Sequence, residues 1–560
     1  MPTLFALQGS VLAAANLAGP EQVNTAPLAQ VEIRHESSNA IAVLFEDVDG
    51  TTGAGNPVIC DSAGEFLVYA EAGTYRIQIT AGARVKVLRH YVIGNTADAA
   101  AAAAEAARVA AEAALEQAQA LFRPADQVIT IQPDETVTIT GDAYTPTSHI
   151  TYLAVGQRDH TSPAVVLAPG ARCDDIRMII PTAGGGANYL ELKGGNRLGR
   201  VKIASEVQLN RTVAANGGLW FTGNDIEMGD IEIRNLDRCM SGTSVSGIRL
   251  GNIRLTNYQR GVHWLYCSDI QYRMVTARGR SIYAEMAPGR GAIHIGDSID
   301  VTGGDLDLEG STEHAIYISS GAGQGAKRIK HGAAKLTNCG MSGLKIKSAV
   351  SADDTDGGNG VVPDLEEAEG ISFTSIEVAG TGQTQDPDAF ADNADAVRIE
   401  RCNGFFVPGG VWCHKGAEIE PYAAVRGMHF NGVRDAVIGP SMLEHCLEAM
   451  VYVRNKRAGN NGITLQKLSG HSSKFAVLIE HLWRDENGDV RALRDMQIID
   501  GIVWNVTDGA GGGRILKVSA PAAFAPASSR SHIVLRYRTA DALVENSADA
   551  DIRTYLTELV

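Results

Sequence analysis

The stretch Ile226-Glu-Met-Gly-Asp-Ile-Glu-Ile-Arg-Asn235 aligns without gaps on Ile248-Arg-Leu-Gly-Asn-Ile-Arg-Leu-Thr-Asn257, at an offset of 248 − 226 = 22 residues. In both copies apolar and polar residues alternate, so a short strand with one buried face is followed by a turn and a second such strand. Matching starts fall at Ile270, Ile293, Ile316, Leu344, Ile371 and Val397, then at Met428, Val451, Val477 and Ile498, with Val201 upstream. Twelve intervals separate 201 from 498, a mean of about 25 residues. Period-two strands recurring at that interval specify a parallel β-helix, because one turn cannot bury its own apolar side and must stack on its neighbours.

A single turn reads as Ala292–Gly296, Ile299–Gly303 and Asp305–Glu309 before the next opens at Ala315, which makes three short strands per turn. Twelve steps at the ~4.8 Å strand spacing give a rod of roughly 58 Å. A leucine-rich repeat would need a regular Leu/Asn frame and an α-solenoid a helical period, and neither is present. The expected fold class is all-β: a small N-terminal β domain, an alanine-rich helical neck and a long right-handed parallel β-helix.

Residues 1–92 alternate as strands at Gln30–Arg34, Ile41–Phe45, Glu65–Tyr69, Tyr75–Ile79 and Arg84–Leu88, with turn residues between them. Residues 93–124 read as a helix that Thr96 can cap and Pro124 ends. With Ala100, Ala107, Ala114 and Leu121 at heptad position a, Glu105, Arg108, Glu112 and Glu116 all fall outside the seam, as a close-packed bundle requires. The rod is expected over 125–520, and residues 521–560 as a last strand and polar tail.

The chain carries 65 acidic and 49 basic residues, a net charge of −16, which argues against an affinity built on neutralising phosphates, so no nucleic-acid partner is expected. The longest candidate membrane span, Ala99–Leu121, is mostly alanine and charged four times, so no span is expected. Val11–Ala18 lacks a positive flank, the first basic residue being Arg34, so no secretory signal is expected. The 8 cysteines are scattered without zinc spacing and read as buried thiols; neither cofactor nor metal is expected.

The segment Asn56-Pro57 … Asp61 … Gly64-Glu65-Phe66 … Tyr69 … Gly73-Thr74-Tyr75-Arg76-Ile77 resembles the N-terminal virion-attachment module of bacteriophage tail fibres and tailspikes. Such a module followed by an alanine neck and a β-helix resembles the trimeric tailspikes and tail fibres as a whole. One signature departs: many spike depolymerases enter the helix through Gly-Asp-Gly … Asp-Asp-Thr, where this chain has Ala125-Asp-Gln-Val-Ile-Thr-Ile131. The resemblance implies a homotrimer in the virion tail, docked through residues 1–92 on the tail, baseplate or an adaptor. The rod would attach the virion to host-surface polysaccharide.

Stacked turns set equivalent residues above one another. The residue after each start gives an outward column that includes Arg249, His294, Tyr317 and Lys345, a candidate surface for an acidic sugar. Asp305, Asp307 and Glu309 face outward from one strand and read as a surface charge ladder with Lys335. Two acidic loops, Ser351–Glu369 and Ala379–Asp395, leave consecutive turns and wall a groove. In them Glu369 and Asp395, with Asp392 as a third member, are the candidate catalytic carboxylates of a glycosidase, which needs two carboxyls about 5–10 Å apart. Calcium at Asp353–Asp356 is the weaker use of those oxygens. Trp264, Trp412 and Trp504 remain unassigned. Whether the rod cleaves its polymer stays open; if it does, hydrolysis ranks ahead of elimination. The competing classes are a secreted β-helix lyase or adhesin, and a virion rod that never touches sugar.

Overall fold

The computed structural model describes residues 4–10, 12–13, 24–25, 28–82, 84–93, 127–141, 144–155, 162–181, 188–206, 217–279, 291–311, 313–321, 325–348, 367–381, 394–414, 424–455, 460–481, 493, 495–506, 513–519, 531–540, 542–546 and 553–558. The chain divides into two compact units, Met1–Pro124 and Ala125–Val560. The alanine-rich segment expected to form the helical neck lies outside the described residues, as do Asp353–Asp356 and Asp392.

The first unit holds two four-stranded antiparallel sheets. One contains Leu4–Ser10 and Glu65–Glu71; the other contains Gln30–His35, Gly73–Ala81 and Arg84–Ile93. Alternation points Val31, Ile33, Val68, Ala70, Tyr75 and Ile77 into a shared core. Asn56 ties the segments together: its amide oxygen accepts from the Ile33 N–H at 3.0 Å while its Nδ2 donates to the carbonyls of Ile33 at 2.7 Å and Ala42 at 2.9 Å.

The second unit is a parallel β-helix. Its strands pair in parallel with the strand one turn on, and through most of the coil strand n pairs with n+3, so three sheets run along it. Each sheet stacks its own interior pile. In the first, Val262, Ile293, Ile316, Leu344, Val397, Met428, Val451, Val477 and Leu516 follow one another in register. In the second, Ile248, Ile270, Val301 and Ile329 do so. In the third, Ile231, Ile253, Val275, Leu306, Ala334, Ile376 and Val411 do so. Nearly all these side chains are fully buried, so the rod's axis is a dry apolar column.

Two sequence expectations are corrected by this register. The starts at Ile248 and Ile270 belong to the second sheet, whereas Ile293 and Ile316 belong to the first, because Ile270 stacks under Val301 and not under Ile293. Sequence alignment merged two piles that share the same alternation. The rod also does not stop at residue 520: His532–Ala540, Ala542–Asn546 and Arg553–Glu558 continue the parallel pairing.

The corners are made by residues that accept left-handed backbone. Asn235 and Asn257 have φ of 57° and 53°, a region asparagine tolerates better than most side chains. Asn257 Nδ2 donates to Asn235 Oδ1 at 2.6 Å, and Asn235 Nδ2 donates to the Ser205 carbonyl at 2.7 Å, so the corner is laced along the axis. All eight cysteines are free and buried.

Candidate functional site

The outward residues of the first sheet form one column: His263, His294, Tyr317, Lys345, Arg398, His429 and Tyr452 occupy successive rungs. Adjacent rungs lie about 4.8 Å apart, which brings neighbouring side chains of the column within reach of one another. His263 Nε2 and His294 Nδ1 are hydrogen-bonded, His294 Nε2 lies 2.9 Å from Ser319 Oγ, and the His294 and Tyr317 rings stack at 4.9 Å. At the other end the His429 and Tyr452 rings lie 4.6 Å apart, with the Arg426 guanidinium 4.5 Å over Tyr452.

Although these side chains point away from the rod's core, His429 is 1% exposed and Lys345 9%. A buried outer face requires its polar groups to satisfy each other. Asp395 does this at the centre. It is completely buried, and its Oδ2 accepts from His429 Nδ1 at 2.8 Å. Arg426 Nη1 reaches Asp395 Oδ1 at 3.3 Å, and Arg398 Nη1 lies 3.8 Å from Oδ2. Arg398 Nε also donates to Glu400 Oε1 at 2.8 Å, and Arg426 Nε to Glu448 Oε2 at 2.6 Å.

Local backbone explains how these groups converge. Simple alternation from Val397 would aim Asp395 inward, yet it meets the outward His429 and Arg398, so the chain entering that strand rotates it to the outer side. Arg426 joins the cluster where the register slips between Ala424 and Arg426, a two-residue step opposite the three-residue step from Cys446 to Ala449. Bulges of this kind re-aim single side chains.

Electrostatics follow from burial. Burial alone would raise the Asp395 carboxyl, but His429, Arg426 and Arg398 hold it below the usual carboxylate range. Burial lowers His429 against the opposing pull of Asp395. An ionised Asp395 only accepts, which places an imidazole proton on Nδ1. The His429 Nε2 is buried without a hydrogen-bond partner among the described residues. Burial, aided by Arg398, brings Lys345 down to about 8. Burial also lowers His294 to about 4, and with His294's help lowers His263 to about 3.

The expected sugar surface is therefore partly re-drawn. His294, Tyr317 and Lys345 are consecutive, as the alignment proposed. Arg249 is not with them: it belongs to the second sheet between Glu227 and Gln271, where it pairs with Asp269 at 2.6 Å. Of the carboxylates, Asp395 lies within the cluster, while Glu369 is exposed and stacks between Lys327 and Asn403 on the second sheet. The expected adjacency of Glu369 and Asp395 does not form, because the Ile371 start sits in a different sheet from Val397. Arg398, His429 and Tyr452 are not among the sequence candidates, although each directly follows a recognised start; Asp395's partner Arg426 carries no periodic signal.

No group of three or more metal-ligating side chains is found among the described residues. No helix among the described residues is long and apolar enough to cross a membrane.

No family model and no curated protein matches the chain. Among solved structures it is similar to the A-module of a mannuronan C-5 epimerase from Azotobacter vinelandii, at TM-score 0.39 and 10% identity, covering 81% of this chain and 95% of that one. It is also similar to a chain of the Vag8–C1 inhibitor complex, at TM-score 0.27 and 12% identity, covering 77% of this chain and 100% of that one. Likeness this loose says nothing of what the present chain binds.

Proposed function

We propose that the chain is a bacteriophage tailspike or tail fibre protein whose β-helix holds host-surface polysaccharide, with the first-sheet cluster as its contact for acidic sugars. In this reading the N-terminal unit docks on the virion tail or an adaptor, and three right-handed rods assemble in parallel. Once one rod holds a polymer, the other two meet it at high effective concentration.

The observation that carries the proposal is the meeting of Arg398, Arg426 and His429 at Asp395 on the outer side of one sheet, with Lys345 one rung from Arg398. Lys345, whose charge burial and Arg398 disfavour, is the cation that gains most from an added carboxylate. Arg398 and Arg426 supply planar donors suited to carboxylate oxygens.

Hydrolysis by Glu369 and Asp395 would need them side by side, and they stand on different sheets; His429, 1% exposed, is not presented to a polymer as a base.

The test is binding and cleavage against purified capsular polysaccharides and lipopolysaccharides, acidic and neutral. Acidic polymers should bind, and Lys345→Gln should weaken them about tenfold, the size of a truncated central contact. Failure to bind any polymer, or unchanged binding of acidic polymers by a folded Lys345→Gln, sinks the reading.

A further inference from the structure

The outward face of the third sheet presents a different surface. Asp307, Lys335, Glu377, Trp412 and Met442 occupy successive rungs of one column. Trp412 is 56% exposed and Met442 38%. Beside Trp412 on the same strand, His414 Nε2 lies 3.1 Å from Glu377 Oε1, both side chains being about two-fifths exposed at 40% and 38%. Further along, His471 Nε2 lies 3.2 Å from Glu444 Oε1, and the His471 ring stacks on Trp504 at 5.3 Å.

From this arrangement we infer a second glycan contact, in which one face of a neutral hexose lies on Trp412 and its hydroxyls bond to the Glu377–His414 pair. The inference rests on the proposed polysaccharide-binding role and adds a site to it.

Three properties select this occupant. Trp412 is the most exposed tryptophan among the described residues, and it stands on a strand paired on both sides, so its ring is pre-placed. Bordering an aromatic face with a carboxylate and an imidazole matches a pyranose, which offers apolar C–H faces and a rim of hydroxyls. A protein partner would want a broad apolar core within an interface of more than about 1,000 Å². Here the exposed apolar neighbour of Trp412 in the column is Met442, and the rung on its other side is the carboxylate of Glu377. Nucleic acid would meet the carboxylates of Asp307, Glu309, Glu377 and Glu444. The surplus of carboxylates likewise distinguishes this strip from the cationic first-sheet cluster, so the two would take neutral and acidic units of one heteropolymer.

The experiment uses the full-length protein and an array of bacterial surface oligosaccharides containing neutral and acidic sugars, with melting curves as a folding control. Trp412→Ala should weaken neutral-hexose-containing ligands about tenfold, Trp412→Phe should recover most of that, and Glu377→Ala should weaken them less. Binding by the parent protein that Trp412→Ala leaves unchanged, while Lys345→Gln reduces it, overturns the second contact alone. Absence of binding by the parent protein overturns the polysaccharide role and this site with it.

Discussion

The first and third sheets of the rod obey the same register and the same spacing, yet their outer columns live in different media. On the first, Lys345, His429 and Asp395 are nine-tenths or more buried. On the third, Asp307, Glu309, Glu377 and Trp412 stand partly or largely in water. The coil fixes where a side chain is placed along the axis but not how far it stands in water. Burial raises the stakes of every charge, since an unpaired buried ion costs several kcal/mol while an exposed one costs almost nothing.

Acid should expose this contrast most strongly. His263, His294, His314 and His429 are all held below the usual imidazole range, chiefly by burial. Groups with depressed values bind fewer protons folded than unfolded, so their contribution is intact above about pH 6.5 and drains away as pH falls toward about 4 and then 3. We expect a loss on the order of 5 kcal/mol across that window. Thermal melts from pH 7 to 4 measure it, and a flat profile would remove the buried imidazoles from the account.

Next in size is Asp395→Ala. It leaves Arg398 and Arg426 buried without their shared counter-ion and His429 without its acceptor, which should cost about 3–5 kcal/mol. Chemical denaturation of the variant checks this. A change below about 1 kcal/mol would mean that the cluster is as solvated as the exposed face.

The smallest effect belongs to Asp307→Ala on the third sheet. Arg278 bridges both Asp307 and Glu309, with side chains 41%, 39% and 45% exposed. Removing one of two carboxylates from so wet a pair should change stability by ~1 kcal/mol or less, measured by the same denaturation curves. A larger loss would erase the distinction between the faces.

Much of the architecture was readable because alternation is a purely local property. The 22-residue repeat, the three-strand plan of Ala292–Glu309 and the stacking of His294, Tyr317 and Lys345 all follow from counting residues within one turn. Counting fails across long insertions. Ile371 and Val397 look equivalent by their alternation but lie in different sheets, which misplaced Glu369 beside Asp395, and the same merging of Ile270 with Ile293 put Arg249 in the histidine column. Arg398, His429 and Tyr452 were reachable by extending the same column three rungs further.

The amino-acid order by itself determined a stacked β-coil, because inward residues that alternate every second position can be buried only by copies of themselves above and below. Its scattered cysteines likewise marked the buried, unpaired thiols. Tertiary structure alone decided which charges meet. Asp395 and Arg398 come from one turn and Arg426 and His429 from the next, and they are aimed by a rotated strand entry and a one-residue register slip. Pattern at a period of two carries no information about either event, since both consist of breaking that period.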